Sequence, residues 1–178
     1  MQEFLVEEFS SQESYRRFIK YMLSHSQFFS LVYFRHRENE PLKKKTKLLY
    51  EKLKKFKEYS VNANEWPGTV TMDDDHIYKF VCYRAEMECF DWLVEVPGLY
   101  EWDYPYAPMD LCFYRDGYCW FSLTAHEQTA CLYTDREEEI RELEALGADL
   151  SFSEDNVSVE SSETVCSDCR KRPSSWRE

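Results

Sequence analysis

Glycine is scarce in this chain, with four residues in 178. Neither G-x-G-x-x-G nor G-x-x-x-x-G-K-[ST] occurs, so a glycine-rich phosphate loop is not expected. No run approaches the roughly 18 apolar residues that a membrane-spanning helix needs. The first residues, MQEFLVEEFSS, lack the basic and apolar regions of a secretory signal. Without that signal, seven cysteines, an odd number, read as reduced thiols in a cytoplasmic protein rather than as a disulfide framework.

Aromatic residues are plentiful, at 17% of the chain, enough to build a substantial core. Charge is uneven. Residues 1–60 carry 13 Lys/Arg against 8 Asp/Glu, and residues 61–150 carry 5 against 20, within an overall net charge of −12. Solvated faces account for this plainly. The sharper reading is that the acidic section meets a partner with a basic surface.

Hydrophobic spacing predicts an α+β fold. It consists of an antiparallel sheet with a C-terminal three-stranded meander, and helices packed mainly on one face. Ser10 with Glu13 reads as a capping box opening a helix that buries Tyr15, Phe18, Ile19, Met22 and Leu23. Phe29–Phe34 and His76–Tyr83 read as buried strands. Leu42, Thr46, Leu49, Leu53 and Phe56 form an apolar stripe on a second helix, Leu42–Lys57, with eight lysines around it. A short helix is expected over Ala85–Val94. Asp116–Gly117 is a strong hairpin signal between Leu111–Tyr114 and Tyr118–Ala125, with Thr129–Tyr133 following. Thr134 with Glu137 reads as a second capping box for a helix through Leu146, closed by Gly147. Residues 1–150 form one expected domain. Residues 151–178 read as a mobile Ser- and acid-rich tail, with one further strand at Asp149–Phe152.

Few constellations carry chemistry. Cys166 and Cys169 form a single C-x-x-C, which supplies two of the four ligands a zinc site needs. His126–Glu127 begins like a zinc-protease helix, but position 130 is Ala, so the second histidine is missing. No cofactor is expected. Asp73, Asp75 and His76, with His126 and Glu127, form an alternative polar site suited to a small enzyme. The lysines of Lys43–Lys57 offer a nucleic-acid face, which the acidity of the rest of the chain opposes. The acids could instead mimic DNA. The segment that stands apart is Tyr100, Glu101, Trp102, Asp103, Tyr104, Pro105, Tyr106. Its rings occupy alternate positions, so an extended backbone would place all four on one face among acids. Such a face is either a lid over the core or a surface for a protein partner.

Glu65–Thr69 (EWPGT), Leu99–Pro105 (LYEWDYP), Asp110–Gly117 (DLCFYRDG) and His126–Glu127 together resemble a family of small proteins found mainly in Firmicutes and sometimes given a sporulation stage III label. The resemblance spans roughly residues 60–147 and implies no particular reaction. The reading that results is a non-catalytic, acidic, cytoplasmic binding protein that docks a protein partner, with an immunity or inhibitor protein as its concrete form.

Overall fold

A computed structural model describes residues 1–37, 40–73 and 75–153. The fold is mixed α+β and rich in strands. In chain order the elements are β1 (Gln2–Phe9), α1 (Gln12–Ser24), β2 (Phe28–Arg35), α2 (Lys44–Leu53), β3 (Lys57–Asn62), β4 (Glu65–Trp66), β5 (Thr69–Val70), β6 (Ile77–Arg84), α3 (Phe90–Leu93), β7 (Met109–Arg115), β8 (Tyr118–Thr124), β9 (Thr129–Thr134), α4 (Glu137–Ala145) and β10 (Ala148–Phe152). Among the described residues eight strands form one sheet in the order β10-β1-β9-β8-β7-β2-β6-β3, and β4 pairs with β5 in a separate hairpin. Every pairing is antiparallel.

Strand β2 is apolar at nearly every position because it lies inside the sheet, hydrogen-bonded to β6 on one side and β7 on the other. Its alternate side chains then enter different clusters, as the two-residue repeat of a strand requires. Phe29, Leu31 and Tyr33 join the larger core, with Phe18, Ile19 and Met22 of α1, Leu49 and Leu53 of α2, and Leu143 of α4. Val32 joins a smaller cluster with Phe80, Cys82, Cys112, Tyr114, Ala63 and Trp66. Burying one such large apolar side chain is worth about 1.5–3 kcal/mol.

The polar tips of the buried aromatics are matched. Tyr33 and Tyr83 share a hydroxyl–hydroxyl bond of 2.7 Å, and Trp120 donates to Ser26 Oγ at 2.9 Å. Arg115 makes a bidentate contact with Glu139, at 2.5 and 2.8 Å, where both side chains are only 7% exposed. The Arg115 guanidinium also lies 3.8 Å from the Trp120 ring centroid.

Several local expectations are corrected. Helix α1 is capped by Ser11, which accepts from Ser14 N–H, because the Ser10 N–H is already committed to Gly147 O at 2.9 Å. The second capping box is not formed. Thr134 Oγ1 accepts from Arg136 N–H and donates to Glu139, the residue that Arg115 draws inward. The lysine-rich helix stops early. After a 3₁₀ turn at Lys54–Phe56 the chain becomes β3, which pairs with β6. Ala85–Val94 holds a 3₁₀ turn at Met87–Cys89 and the single turn of α3. Strand β1 lacks a counterpart in the sequence reading, although Phe4 and Val6 point inward at a spacing of two. Asp116 and Gly117 both take positive φ, 51° and 82°, which the two-residue hairpin requires.

Candidate functional site

The four rings of the Tyr100–Tyr106 segment do not share a face. The backbone forms a 3₁₀ turn at Leu99–Glu101 and then a second tight turn, in which the N–H groups of Tyr106 and Ala107 both donate to Asp103 O. Alternation needs an extended chain, so it is lost here. Trp102 is fully buried (0% exposed) and its indole N–H donates to Tyr15 Oη at 2.9 Å. Tyr100 is half-buried and donates to Val6 O at 2.8 Å. Tyr104 is half-buried, and its hydroxyl meets His36 Nε2 at 3.2 Å. Asp103 caps its own turn by accepting from Tyr104 N–H. Only Tyr106 of the four projects outward, at 72% exposure.

Tyr106 stands at the rim of a cleft of about 570 Å³. One side of the cleft is α2, through Lys45, Thr46, Leu48 and Leu49. The other is the chain from Trp92 to Pro97 together with Glu101, Tyr106, Ala107 and Pro108. Leu49, Val96 and Ala107 are buried, while Leu48 is 55% exposed. Glu95 and Glu101 are exposed, and neither carboxylate has an ion-pair or hydrogen-bond partner among the described residues. The Thr46 hydroxyl is buried and has no hydrogen-bond partner among the described residues. A cleft of this volume, mostly apolar with a few convergent polar groups, has the make-up of a binding site. Nothing in the sequence alone joins α2 to the 92–108 segment across some fifty positions.

The predicted polar site divides into two parts. His76 Nδ1 is hydrogen-bonded to Asp73 Oδ2, and Asp75 N–H donates to Asp73 Oδ1. These bonds, with His76 first, hold the Asp73 carboxyl below the usual carboxylate range. Two residues from elsewhere complete the cluster. His36 lies with its ring centroid 5.1 Å from that of His76, and Tyr104 reaches His36 from the loop. The register explains this: Arg35 pairs with Ile77, so the next residues out on β2 and β6 are His36 and His76. Phe34 packs on His36, His76 and Tyr104. His36 was missed because its segment reads as a polar connection, and only strand pairing brings it to His76.

His126 and Glu127 are not part of this cluster. They lie in a 3₁₀ turn between β8 and β9, with His126 Nε2 3.8 Å from Glu127 Oε1. Among the described residues no hydrogen bond or ion pair links them to Asp73 or His76. His126 follows Ala125, whose N–H donates to the buried carboxylate of Asp110 at 2.9 Å. Asp110 also accepts from Trp66 Nε1 at 2.7 Å. Burial raises its carboxyl, and the Ala125 and Trp66 hydrogen bonds and nearby His126 work the other way. Of the cysteines flanking this turn, Cys131 has its thiol pushed up to about 11 by burial, away from the thiolate that a nucleophile needs.

Among the described residues no group of three or more His, Cys, Asp or Glu side chains is placed to hold a metal ion. Cys166 and Cys169 lie outside the described residues. The lysines in and around α2, from Lys43 to Lys55, are exposed but partly engaged. Lys43 pairs with Glu40, Lys54 with Glu51 and Lys55 with Glu88, and Lys52 lies 4.2 Å from the Trp92 ring centroid. No helix among the described residues is long and apolar enough to cross a membrane. Comparison of the chain with protein-family models, with curated proteins and with solved structures gives no match.

Proposed function

We propose that this chain is a non-catalytic binding protein that docks a protein partner on the surface made by α2 and the 92–108 segment. An immunity or inhibitor protein is the concrete form of this reading. The observation that carries it is the lining of the cleft, which includes Leu48 and Tyr106, both more than half exposed, and two carboxylates without partners among the described residues. Interface hot spots are enriched in tyrosine, tryptophan and arginine, and Tyr106 is of that kind. The acidity of residues 61–150 favours a partner with a basic surface and speeds its encounter.

The test uses the full chain as bait in an extract of its source cells, alongside the Leu48→Ser/Tyr106→Ser variant. Both replaced side chains are exposed, so the variant keeps its fold. A partner held by the parent chain and lost from the variant supports the reading. Equal recovery of the same partners by both overturns it.

A second reading, a small enzyme, is favoured by the Asp73–His76 bond. A carboxylate on one imidazole nitrogen fixes the ring and leaves the other nitrogen for proton transfer. His36 and Tyr104 then stand where further proton donors would act. A hydrolase screen of the parent chain and of His76→Gln tests it. No turnover, or turnover unchanged in the variant, removes this reading.

A further inference from the structure

We propose that His36 and His76 form a binding site for a divalent late-transition-metal ion of the Zn²⁺ or Ni²⁺ kind, held by two imidazoles and completed by water. The site stands apart from the docking surface and does not rest on it. Strand register creates it. Arg35 pairs with Ile77, so His36 and His76 occupy the next rung, on the face shared by Phe34 and Tyr78. Phe34 packs against both rings, at centroid distances of 4.9 and 5.1 Å. The two imidazole centroids lie 5.1 Å apart. Two imidazoles on one tetrahedral ion, at Zn–N distances of about 2.0–2.1 Å, place their centroids about 5 Å apart. His36 is exposed and His76 half-buried, so an ion from solvent reaches them.

Each ring also has one nitrogen committed and one left over. His76 Nδ1 is bonded to Asp73 Oδ2, and His36 Nε2 to Tyr104 Oη. His76 Nε2 and His36 Nδ1 have no partner among the described residues. A metal-bound histidine characteristically donates its other ring N–H to an oxygen, which fixes the tautomer and raises the basicity of the ligating nitrogen. Asp73 is placed to do this for His76. A hydroxyl both donates and accepts, so Tyr104 serves His36 in the tautomer that frees Nδ1. Glu40 Oε2 accepts from the His36 backbone N–H at 2.8 Å and, with Asp73, brings negative charge to the pair. Lys43 is the opposing charge, and Glu40 offsets it at 3.8 Å. Imidazole nitrogen suits Zn²⁺, Ni²⁺ and Cu²⁺, whereas Mg²⁺ takes oxygen ligands. With two protein ligands the site is open, and it binds more weakly than a four-ligand structural zinc centre.

The test is a titration of the isotope-labelled full chain with Zn²⁺, read on the histidine ring nitrogens by NMR. A Cys166→Ser/Cys169→Ser background removes the C-x-x-C as a competing pair of ligands. Saturable shifts are expected at His76 Nε2 and His36 Nδ1 together, with the other two histidines, His25 and His126, unmoved. Mg²⁺ should give none. His36→Gln and His76→Gln, made singly, each remove the response of the ring that remains at the same Zn²⁺ concentrations. Asp73→Ala weakens binding by about tenfold or more, as loss of the partner of a ligating histidine does. Asp73→Asn, which still accepts from Nδ1–H, recovers part of that loss. No saturable shift, a shift of one ring alone, equal shifts at all four histidines, or an equal response to Mg²⁺ overturns the proposal. The docking reading, tested by Leu48→Ser/Tyr106→Ser, is untouched by that result.

Discussion

The indole N–H of Trp66 donates to Oδ2 of Asp110 across 2.7 Å, although forty-four residues separate the two and both are almost completely buried. The other carboxylate oxygen of Asp110 accepts from Ala125 N–H, and Asp110 itself holds a φ of 54°. One side chain thereby ties the β4–β5 hairpin and the turn after β8 to the start of β7. Removing it strands two buried donors. Asp110→Ala is expected to cost about 1–3 kcal/mol for each donor left unpaired. Trp66→Phe, which removes one donor, costs less than Asp110→Ala. Urea unfolding of the three proteins checks the order.

Gly68 sits in the hairpin that this clamp holds, with φ of 81°. A Cβ there would lie 2.6 Å from Thr124 Oγ1, the hydroxyl that donates to Gly68 O. Gly68→Ala combines backbone strain with loss of that bond, and a cost of about 1–3 kcal/mol is expected. Thermal unfolding measures it. Relief of the clash by Thr124→Ala should recover only part, because the positive φ persists.

Glu139 sets the acid limb of stability. Burial by itself would raise its carboxyl, but bonds from Arg115 and Thr134 hold it below the usual glutamate range. A carboxyl depressed in the folded state contributes stability above its unfolded pKa, and that contribution is lost as pH falls through the folded value. Glu139→Gln leaves Arg115 without its charge partner and is expected to cost about 3–5 kcal/mol near neutral pH, as breaking a buried ion pair does. The difference from the parent chain should shrink as pH is lowered toward and below 4. A difference constant over that range contradicts this role.

The His36–Tyr104 bond joins the end of β2 to the loop that walls the cleft. His36→Ala is expected to speed amide exchange over residues 103–107 with little change in global stability, within about 1 kcal/mol. Hydrogen exchange by mass spectrometry reads both quantities. Exchange unchanged in the loop would mean that packing by Phe34 and the Lys43 contact suffice to hold Tyr104.

Much of the scaffold was legible. Phe29–Phe34 is apolar at both parities because β2 has neighbours on both sides, and Tyr15, Phe18, Ile19, Met22 and Leu23 are buried at their helical spacing. Asp116–Gly117 makes its turn for the reason the residue types suggest. The candidate site was legible only in part. Tyr106 and Glu101 line the cleft, whereas Trp102 belongs to the core. The distinction depends on a 3₁₀ turn and on Tyr15, eighty-seven positions away, which offers the indole a hydroxyl. Glu95 and Thr46 gave no signal, since an exposed acid and a threonine on an apolar stripe are ordinary in sequence. Their meaning comes from sharing one cleft. Likewise His36 is an unremarkable polar residue until strand register sets it against His76.

The most direct test of the docking surface is hydrogen exchange of the full chain with and without the partner recovered by it. The account predicts that protection on binding concentrates in residues 45–49, 92–97 and 101–108. Protection confined to the His126 turn, the β3 edge or the β10 edge, with those three segments unchanged, would contradict it.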